Sequence, residues 1–306
     1  MGPITGSEFD GSASRSPARP NARPQMQVEA FVARLFRVHR LPAFMIIGAQ
    51  KAGTTSLASY LAAHPSVLAP AFKEVHYFDL NYTRGIEWYR SHFPIGARRR
   101  FGTRFHGRRL RAFDATPYYL IHPHAPSRAS RLIPAARIIV LLRDPVDRAY
   151  SHYHHEVRLG IETLPFEQAI EAEPARVAGE RQRLDAEASY AGFNYQHYTY
   201  LERGIYSLQI RRWLNYYGPE QFLVLSSEQF FQNPAEEYRR VLKFLDLPAW
   251  KLPSYPAEHV GKYPPMQAAI RSRLVEYYAP HNRALRDDLN CTWPGSGDAI
   301  VNRFSA

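Results

Sequence analysis

Residues 44–60 read Phe-Met-Ile-Ile-Gly-Ala-Gln-Lys-Ala-Gly-Thr-Thr-Ser-Leu-Ala-Ser-Tyr, and this stretch carries the strongest fold signal in the chain. Its first four residues form an apolar run that is typical of a buried strand, and a helical pattern begins at Thr55. Two glycines, Gly48 and Gly53, enclose the loop between them. At such a junction the backbone N–H groups and the positive end of the helix dipole converge on an anion. The stretch therefore predicts a phosphate-binding loop.

The loop has nearly the spacing of a Walker A motif, G-x-x-x-x-G-K-[ST], but its lysine is displaced. Lys51 lies two residues before Gly53, and Thr54 occupies the position that follows the glycine. This displacement points away from ATP hydrolysis and toward a different phosphate-bearing donor. A plain strand–turn–helix junction with a capping threonine is the alternative, but a lysine between the two glycines favours phosphate binding.

Strands alternate with helices along the rest of the chain. The apolar run Arg137 to Leu142 is continuous, as expected of a strand in a parallel sheet that is covered on both faces. Further strands are predicted at Arg111 to Asp114 and Gln221 to Leu225. Helices are predicted over Thr55–Ala63, Val146–Leu159, 166–200, Tyr206–Tyr217, Glu236–Leu245 and Met266–Tyr278. The pattern predicts an α/β fold, a P-loop-type central parallel sheet with helices on both faces, in a single domain.

A second motif follows the strand that ends at Leu142 and reads Arg-Asp-Pro-Val-Asp-Arg-Ala-Tyr-Ser, residues 143–151. Open α/β sheets bind their ligands at the carboxyl ends of strands. Arg143 can bind a phosphate through two parallel N–H groups, and Ser151, two helical turns on, can add a hydroxyl. Asp144 followed by Pro145 also suits the start of a helix. Helix capping and ligand binding are compatible, and both are expected.

A third motif is Lys73-Glu74-Val75-His76, in a segment predicted as a loop or short strand up to Asp79. Glu74 and His76 alternate along the chain, so in an extended segment both could face one cleft and act on a substrate proton. A charged pair in a solvated loop is the simpler alternative, and the motif by itself does not decide between the two.

Taken in order, the three motifs closely resemble the PAPS-dependent sulfotransferases, nearest to the heparan sulfate O- and N-sulfotransferase group and its bacterial relatives. Shorter family-like pieces occur at 85–89, 115–119 and 261–266. The resemblance covers roughly residues 40–294 and is specific, because several motifs agree in order and spacing. It implies an enzyme of the EC 2.8.2 type that uses PAPS, releases adenosine 3′,5′-bisphosphate and needs no metal.

The resemblance also implies roles for individual residues. The loop that holds the 5′-phosphosulfate is carried over to Gln50, Lys51, Ala52, Gly53, Thr54, Thr55 and Ser56. Lys51 stabilises the bridging oxygen as charge builds on the leaving phosphate, Glu74 is the general base, and His76 is its neighbour. Arg143 and Ser151 match the residues that bind the 3′-phosphate, and Gly261 with Lys262 matches a late loop that closes over the nucleotide.

The chain departs from the eukaryotic heparan enzymes in one segment. Those enzymes carry a Glu-Lys pair before a Thr-Pro or Ser-Ala step, whereas this chain has Asp114-Ala115-Thr116-Pro117 and so lacks the second lysine. The residues assigned to the acceptor side are Lys73, Arg104, Asp114 and Tyr195, with the Arg98–Arg111 and Tyr190–Tyr206 stretches lining the cleft. A carbohydrate or polysaccharide hydroxyl or amine is the expected acceptor. A small phenolic, lipid or polyketide hydroxyl is the alternative.

Two alternative functions remain open at this point. The formal charge of +11 favours an anionic partner, which leaves a non-catalytic polyanion-binding protein open, and a P-loop kinase is the other rival. The arginine run at 98–111 has few interleaved aromatic residues, so nucleic-acid binding is not expected. His152, His154 and His155 share one predicted helix without partner ligands at suitable spacing, so no metal site is predicted.

The ends of the chain carry expectations of another kind. Residues 1–25 are rich in Gly, Ser, Pro and Ala and are interpreted as a vector scar with a disordered lead, followed by a sulfotransferase domain over 26–306. On this view the native N-terminus and any targeting signal are missing. No stretch approaches 18 apolar residues, and Cys291 is the single cysteine. A cytoplasmic, bacterial-type enzyme is expected, and the sequence carries no signal for oligomeric state.

Overall fold

A computed structural model of the chain describes residues 41–93, 104–105, 108–258, 261 and 263–289. The predicted boundary at residue 25, the residue Lys262 and the cysteine Cys291 lie outside these ranges. The side chains at 104, 105, 108, 109, 288 and 289 are likewise outside the description.

Within the described ranges, five parallel strands form the central sheet, and a two-stranded antiparallel ribbon comes between the second and third of them in sequence. The sheet strands are β1 (Phe44–Gly48), β2 (Val67–Leu68), β5 (Arg111–Ala115), β6 (Arg137–Leu142) and β7 (Phe222–Ser226), and the ribbon strands are β3 (Arg104–Phe105) and β4 (Arg108–Arg109). The order across the sheet is β2-β5-β1-β6-β7, and every neighbouring pair is parallel. The predicted α/β fold with a central parallel sheet is confirmed.

The helices follow the strands in the expected alternation. Their bounds are α1 (Thr54–Ala62), α2 (Ile86–Arg90), α3 (Ala125–Leu132), α4 (Pro145–Arg158), α5 (Phe166–Val177), α6 (Glu180–Ala186), α7 (Phe193–His197), α8 (Tyr206–Leu214), α9 (Ser227–Gln232), α10 (Pro234–Phe244) and α11 (Ala268–Leu289). Short 3₁₀ turns occupy Tyr82–Arg84, Pro117–Tyr119, Glu202–Gly204 and Pro219–Gln221.

The sheet is covered on both faces. Successive side chains of a strand point to opposite faces, and all five residues of β1 are buried, as are all five of β7. Helix α1 packs on β1, β2 and β5, and α10 packs on β7. Inside the sheet the rings of Phe44 and Phe113 stack at 5.3 Å between centroids. The continuous apolar runs read from the sequence are explained by this two-sided burial.

The region 166–200 differs from the single helical stretch that the sequence predicts. It is divided into α5, α6 and α7 because Gly179 and Gly192 adopt left-handed backbone conformations, with φ of 75° and 61°. A side chain at Gly192 would also lie 3.2 Å from Cδ2 of Leu184. These two glycines let the chain turn twice and bring α7 back beside α5.

The topology fixes where a ligand can bind. From β1 the chain moves outward to β2, returns to β5, and then crosses to β6 on the other side of β1. The carboxyl ends of β1, β5 and β6 therefore meet at the point where the strand order reverses, which is the usual ligand site of open α/β sheets. The three predicted motifs all converge on this edge.

Candidate active site

The loop after β1 depends on both of its glycines. A Cβ at Gly48 would lie 2.7 Å from Cβ of Leu120, so the close approach of this segment excludes any side chain. Gly53 has φ of 94°, in the left-handed region, and a Cβ there would lie 2.8 Å from Cζ of Phe231. Gly53 is itself the N-cap of α1. The alternative of a capping threonine is therefore wrong, because Thr54 is already the first helical residue.

The loop residues differ in accessibility. Gln50, Lys51, Gly53 and Thr55 are half-buried, whereas Ala52, Thr54 and Ser56 are buried. The hydroxyl of Ser56 accepts a hydrogen bond from the backbone N–H of Glu258 at 2.9 Å. Ser56 thus anchors the segment around Glu258 to α1. The motif comparison predicts that Ser56 lines the open face of the loop, but its side chain is buried.

The Arg-Asp-Pro motif lies directly beside this loop. Oδ1 of Asp144 accepts hydrogen bonds from the N–H groups of Val146 and Asp147 at 2.9 and 3.0 Å, so it caps α4 as predicted. Nη1 of Arg143 donates to the carbonyl oxygen of Lys51 at 3.1 Å. Ser151 lies two turns along α4 and is largely buried.

Three cationic side chains, those of Lys51, Arg143 and Arg158, lie close together at this edge. Burial, followed by the nearby charges of Arg158 and Arg143, lowers the pKa of Lys51 to about 8. Among the residues that the structure describes, no carboxylate lies at ion-pairing distance from Lys51, Arg143 or Arg158. A polyanionic ligand bound here would favour the charged form of Lys51, against the effects of burial and of the two arginines.

The Glu74–His76 pair is also assembled at this edge, and Asp79 completes it. Nδ1 of His76 lies 2.8 Å from Oδ2 of Asp79, and Nε2 of His76 lies 3.5 Å from Oε2 of Glu74. Both Glu74 and His76 have positive φ, 65° and 55°. The segment is therefore an irregular loop that leads into a turn at 77–80, and not the extended strand that alternation suggested, yet the two side chains still meet.

The charges of this group are strongly coupled. Burial alone would raise the pKa of Glu74, but hydrogen bonds from His76 and Lys73 together with their charges lower it to about 2. Burial alone would lower the pKa of His76, but Asp79 and Glu74 raise it to about 10. Glu74 is therefore a carboxylate and His76 an imidazolium at neutral pH. Lys73, assigned to the acceptor side, is ion-paired with Glu74 in this state.

Comparison with known proteins decides the family. The sequence model described as "Sulfotransferase domain" matches residues 41–260. The chain belongs to the sulfotransferase domain family. The resemblance carried by the three motifs is thereby confirmed, as is the expectation of a sulfotransferase.

Individual relatives agree with this assignment. The chain is 33% identical over 279 residues to the human "Bifunctional heparan sulfate N-deacetylase/N-sulfotransferase 3", covering 79% of this chain and 29% of that protein. It is 27% identical over 315 residues to the Dictyostelium discoideum "Membrane-associated sulfotransferase kil1", covering 82% of this chain and 65% of that protein. The chain thus spans less than a third of the length of the heparan sulfate relatives that it matches.

A solved structure has the same fold. The sulfotransferase from Alicyclobacillus acidocaldarius is 28% identical and superposes with a TM-score of 0.59, over 85% of this chain and 100% of that one. The parallel sheet and the loop after β1 of the present sulfotransferase are thus embedded in a domain architecture shared with another member of the family.

Asp114 was predicted to lie on the acceptor side, but in the structure of this sulfotransferase it is buried beneath the site. It is fully buried, and its carboxylate accepts hydrogen bonds from the hydroxyls of Tyr89, Tyr119 and Thr116 at 2.9, 2.9 and 2.8 Å. Burial raises the pKa of Asp114 to about 6.

Asp114 is linked to the loop that carries Glu74 and His76. The Tyr119 hydroxyl, which donates to Asp114, accepts a hydrogen bond from the N–H of Tyr77 at 2.8 Å. Through Tyr119, Asp114 therefore positions this loop.

Two other acceptor-side assignments have different outcomes. Tyr195 is buried, and its hydroxyl donates to Oε1 of Glu202 at 2.7 Å, so it holds α7 in place and does not face a cleft. Arg104 lies in β3, but its side chain is outside the description, as is most of the Arg98–Arg111 stretch.

The late loop of the sulfotransferase is tied to α4. Tyr263 stacks on His154 at 4.4 Å between ring centroids with an interplanar angle of 8°, and the hydroxyl of Tyr150 donates to the carbonyl oxygen of Pro264 at 3.0 Å. Gly261 is exposed, and Lys262 lies outside the described residues. The helix that presents Ser151 therefore also holds the segment that follows Lys262.

Sequence reasoning misses several residues at this site. Asp79 follows His76 by three residues in the same motif, but only the turn brings the two together. Arg158 follows Ser151 and His155 at helical spacing and donates to Nδ1 of His155 at 2.8 Å. That helical spacing was a usable sequence signal for Arg158.

In the part of the chain that the structure describes, His, Cys, Asp and Glu side chains form no group able to hold a metal ion. None of the described helices combines the length and apolarity that crossing a membrane requires.

Proposed function

We propose that this sulfotransferase transfers a sulfuryl group from PAPS to a hydroxyl or amine of a carbohydrate, with Glu74 as the general base. The observation that carries the proposal is the pairing of two unlike sites at one sheet edge. A cation-rich loop around Lys51 and Arg143 lies near enough to Glu74 that the Glu74 carboxylate opposes the fall in the pKa of Lys51. This arrangement supports an anionic donor and a proton acceptor acting side by side.

The residues of the donor loop fit the 5′ end of PAPS. Gly53 is the N-cap of α1, so the backbone N–H groups of the first helical turn, beginning at Thr54, can bind an anion at the positive end of the helix dipole. The protonated amine of Lys51 would lie next to the phosphate that becomes the leaving group. It would stabilise the negative charge that increases there in the transition state. Arg143 and Ser151 would bind the 3′-phosphate, and the segment around Gly261 would close over the nucleotide.

The proposed reaction is an in-line displacement at sulfur. The acceptor oxygen or nitrogen forms a bond to sulfur while the bond between sulfur and the bridging phosphate oxygen breaks, and adenosine 3′,5′-bisphosphate leaves with that electron pair. Glu74 takes the acceptor proton. PAPS supplies an activated sulfuryl group, so the protein contributes alignment and charge stabilisation, as in phosphoryl transfer.

Glu74 would be a weak base before the acceptor binds and a stronger one afterwards. In the structure its carboxylate is paired with Lys73 and lies near His76. An acceptor that separates Lys73 from Glu74 would raise the pKa of Glu74 and make it a stronger base. His76, kept protonated by Asp79, would hold Glu74 in place during that change.

A carbohydrate acceptor is supported by the relatives named for heparan sulfate N-deacetylation and N-sulfation and by the basic character of the chain. A glycan with carboxylate or sulfate groups would bind favourably near Arg158, which has no carboxylate partner among the described residues.

Thermal unfolding tests the donor class. Adenosine 3′,5′-bisphosphate without any metal should raise the Tm, because it carries both phosphates that the site would bind. Stabilisation by Mg-ATP alone would contradict the proposal and favour a kinase. Stabilisation only by long polyanions would favour a binding protein without catalysis.

A further inference from the structure

Arg203 is a buried arginine that the proposed mechanism does not use. It lies in the turn Glu202–Gly204, within the stretch Tyr190–Tyr206 that is predicted to line the acceptor cleft. Its Nε donates to Oγ1 of Thr199 at 2.7 Å, and its Nη2 donates to the carbonyl oxygens of Tyr195 and Gln196 at 3.3 and 2.5 Å. Three bonds therefore fix the guanidinium plane against the segment that follows α7.

The remaining nitrogen of Arg203 reaches the donor loop. Nη1 donates to Oε1 of Gln50, across 153 residues of sequence. A guanidinium carries only donors, so it can face only the oxygen of a carboxamide. The amide group of Gln50 is thus held in one orientation, with its NH₂ turned away from Arg203. Within the described residues, this NH₂ donates no hydrogen bond to the protein.

The same guanidinium also borders the proton-transfer group. Its Cζ lies 4.9 Å from the centroid of the Tyr118 ring, and that ring lies 6.4 Å from the ring of His76. The buried hydroxyl of Tyr118 has no hydrogen-bond partner in the described part of the chain. Arg203 therefore contacts the donor loop on one side and the aromatic wall beside His76 on the other.

We propose that Arg203 is a positioning residue that fixes the Gln50 carboxamide so that its NH₂ donates to the 5′ end of the bound donor. This role rests on the proposed function, in which an anion held next to Lys51 gives that NH₂ a partner. A guanidinium suits the task better than an ammonium, since its rigid fork satisfies Thr199, two carbonyls and Gln50 at once.

A double-mutant cycle on turnover tests the proposal. Gln50→Leu removes the NH₂, and Arg203→Lys keeps the charge but loses the fork. Each should lower kcat by about 100-fold to 1,000-fold, as expected for loss of one oriented donor, with a smaller change in KM for PAPS. The double variant should be no more than about threefold slower than the slower single variant, because Arg203 acts through Gln50.

Arg212→Lys is the matched control. Arg212 also donates to a main-chain oxygen, that of Ile121 at 2.8 Å, so its replacement reports the cost of losing a partly buried arginine. Its kcat should stay close to that of the wild type. If the losses for Gln50→Leu and Arg203→Lys multiply in the double variant, or if Gln50→Leu turns over like the wild type, the proposal is overturned.

A measurement on the wild-type protein covers the case in which Arg203→Lys does not fold. The side-chain NH₂ resonances of Gln50, assigned by comparison with Gln50→Leu, should shift when adenosine 3′,5′-bisphosphate is added. Unchanged resonances at saturation would overturn the positioning role. Failure of the wild type to transfer sulfate from PAPS would instead refute the proposed function, and it would do so without reference to the cycle.

Discussion

Nη1 of Arg143 donates a hydrogen bond to the carbonyl oxygen of Lys51 at 3.1 Å, which joins two motifs that lie 92 residues apart in the sequence. One motif ends β1 and the other ends β6, and these strands are neighbours in the sheet. The bond sets the backbone of the donor loop against the residue proposed for the 3′-phosphate. Under the proposed function, this contact would link donor binding by Arg143 to the placement of Lys51.

The first prediction concerns Lys51. Lys51→Ala should lower kcat by about 100-fold to 1,000-fold, because it removes the charge that stabilises the leaving phosphate. The Kd for adenosine 3′,5′-bisphosphate should rise much less, since backbone N–H groups, Arg143 and Ser151 remain. Steady-state kinetics and calorimetric titration measure the two quantities. Lys243→Ala, at an exposed position near the end of α10, is the matched control, and equal losses in kcat and affinity for Lys51→Ala would refute this role.

The second prediction concerns pH. The pKa of Lys51 is lowered to about 8, so its charge is present below that pH and is lost above it. The value of kcat/KM for PAPS, which reports the free enzyme, should therefore fall as the pH rises through about 8. Lys51→Arg keeps its proton throughout this range and should remove the decline. A decline that persists in Lys51→Arg would assign it to another group.

The third prediction concerns the proton on His76. In the wild type its pKa is raised to about 10 by Asp79 and Glu74, against the effect of burial. Asp79→Asn removes the larger of these charges, so the pKa of His76 should fall toward its ordinary value near 6.5. An NMR titration of the imidazole measures this shift. An unchanged titration in Asp79→Asn would show that Asp79 does not control the charge of His76.

The fourth prediction concerns Asp114. Asp114→Ala leaves the hydroxyls of Tyr89, Thr116 and Tyr119 without their shared acceptor, which should lower the free energy of unfolding by roughly 3 kcal/mol. Urea unfolding measures it, and a change within about 0.5 kcal/mol, typical of surface substitutions, would contradict the positioning role.

The raised pKa of Asp114 also predicts how the stability difference between the wild type and Asp114→Asn changes with pH. Because its pKa in the folded protein is about 6, above its unfolded value, the folded state holds this proton more tightly. The contribution of Asp114 to stability is present below pH 4 and decreases as the pH rises to about 6. The stability of the wild type minus that of Asp114→Asn should therefore decrease across this window.

Much of the fold was predictable because it depends on local patterns. The continuous apolar runs at β1 and β6 reflect two-sided burial, and the glycine spacing around Lys51 reflects a close approach to Leu120 and Phe231. The region 166–200 was not divided correctly, since left-handed Gly179 and Gly192 look like ordinary glycines in a polar helical pattern.

The site was predictable where a motif carries both chemistry and geometry. Lys51, Arg143 and the Glu74–His76 pair lie where their motifs place them, at the ends of β1 and β6 and in the loop hydrogen-bonded to the end of β5. Asp114 and Tyr195 were assigned to the acceptor because they are polar and near the motifs, but burial decides otherwise. The contact between Arg203 and Gln50 depends on tertiary packing across 153 residues and left no local signal.

Transfer of labelled sulfate from PAPS to a glycan in metal-free buffer tests the central claim most directly. The wild type should label N-desulfated heparan sulfate or a polysaccharide with free hydroxyls. Glu74→Gln should abolish labelling while adenosine 3′,5′-bisphosphate still binds. Equal labelling by Glu74→Gln, or no transfer from PAPS to any acceptor by the folded wild type, would contradict the account.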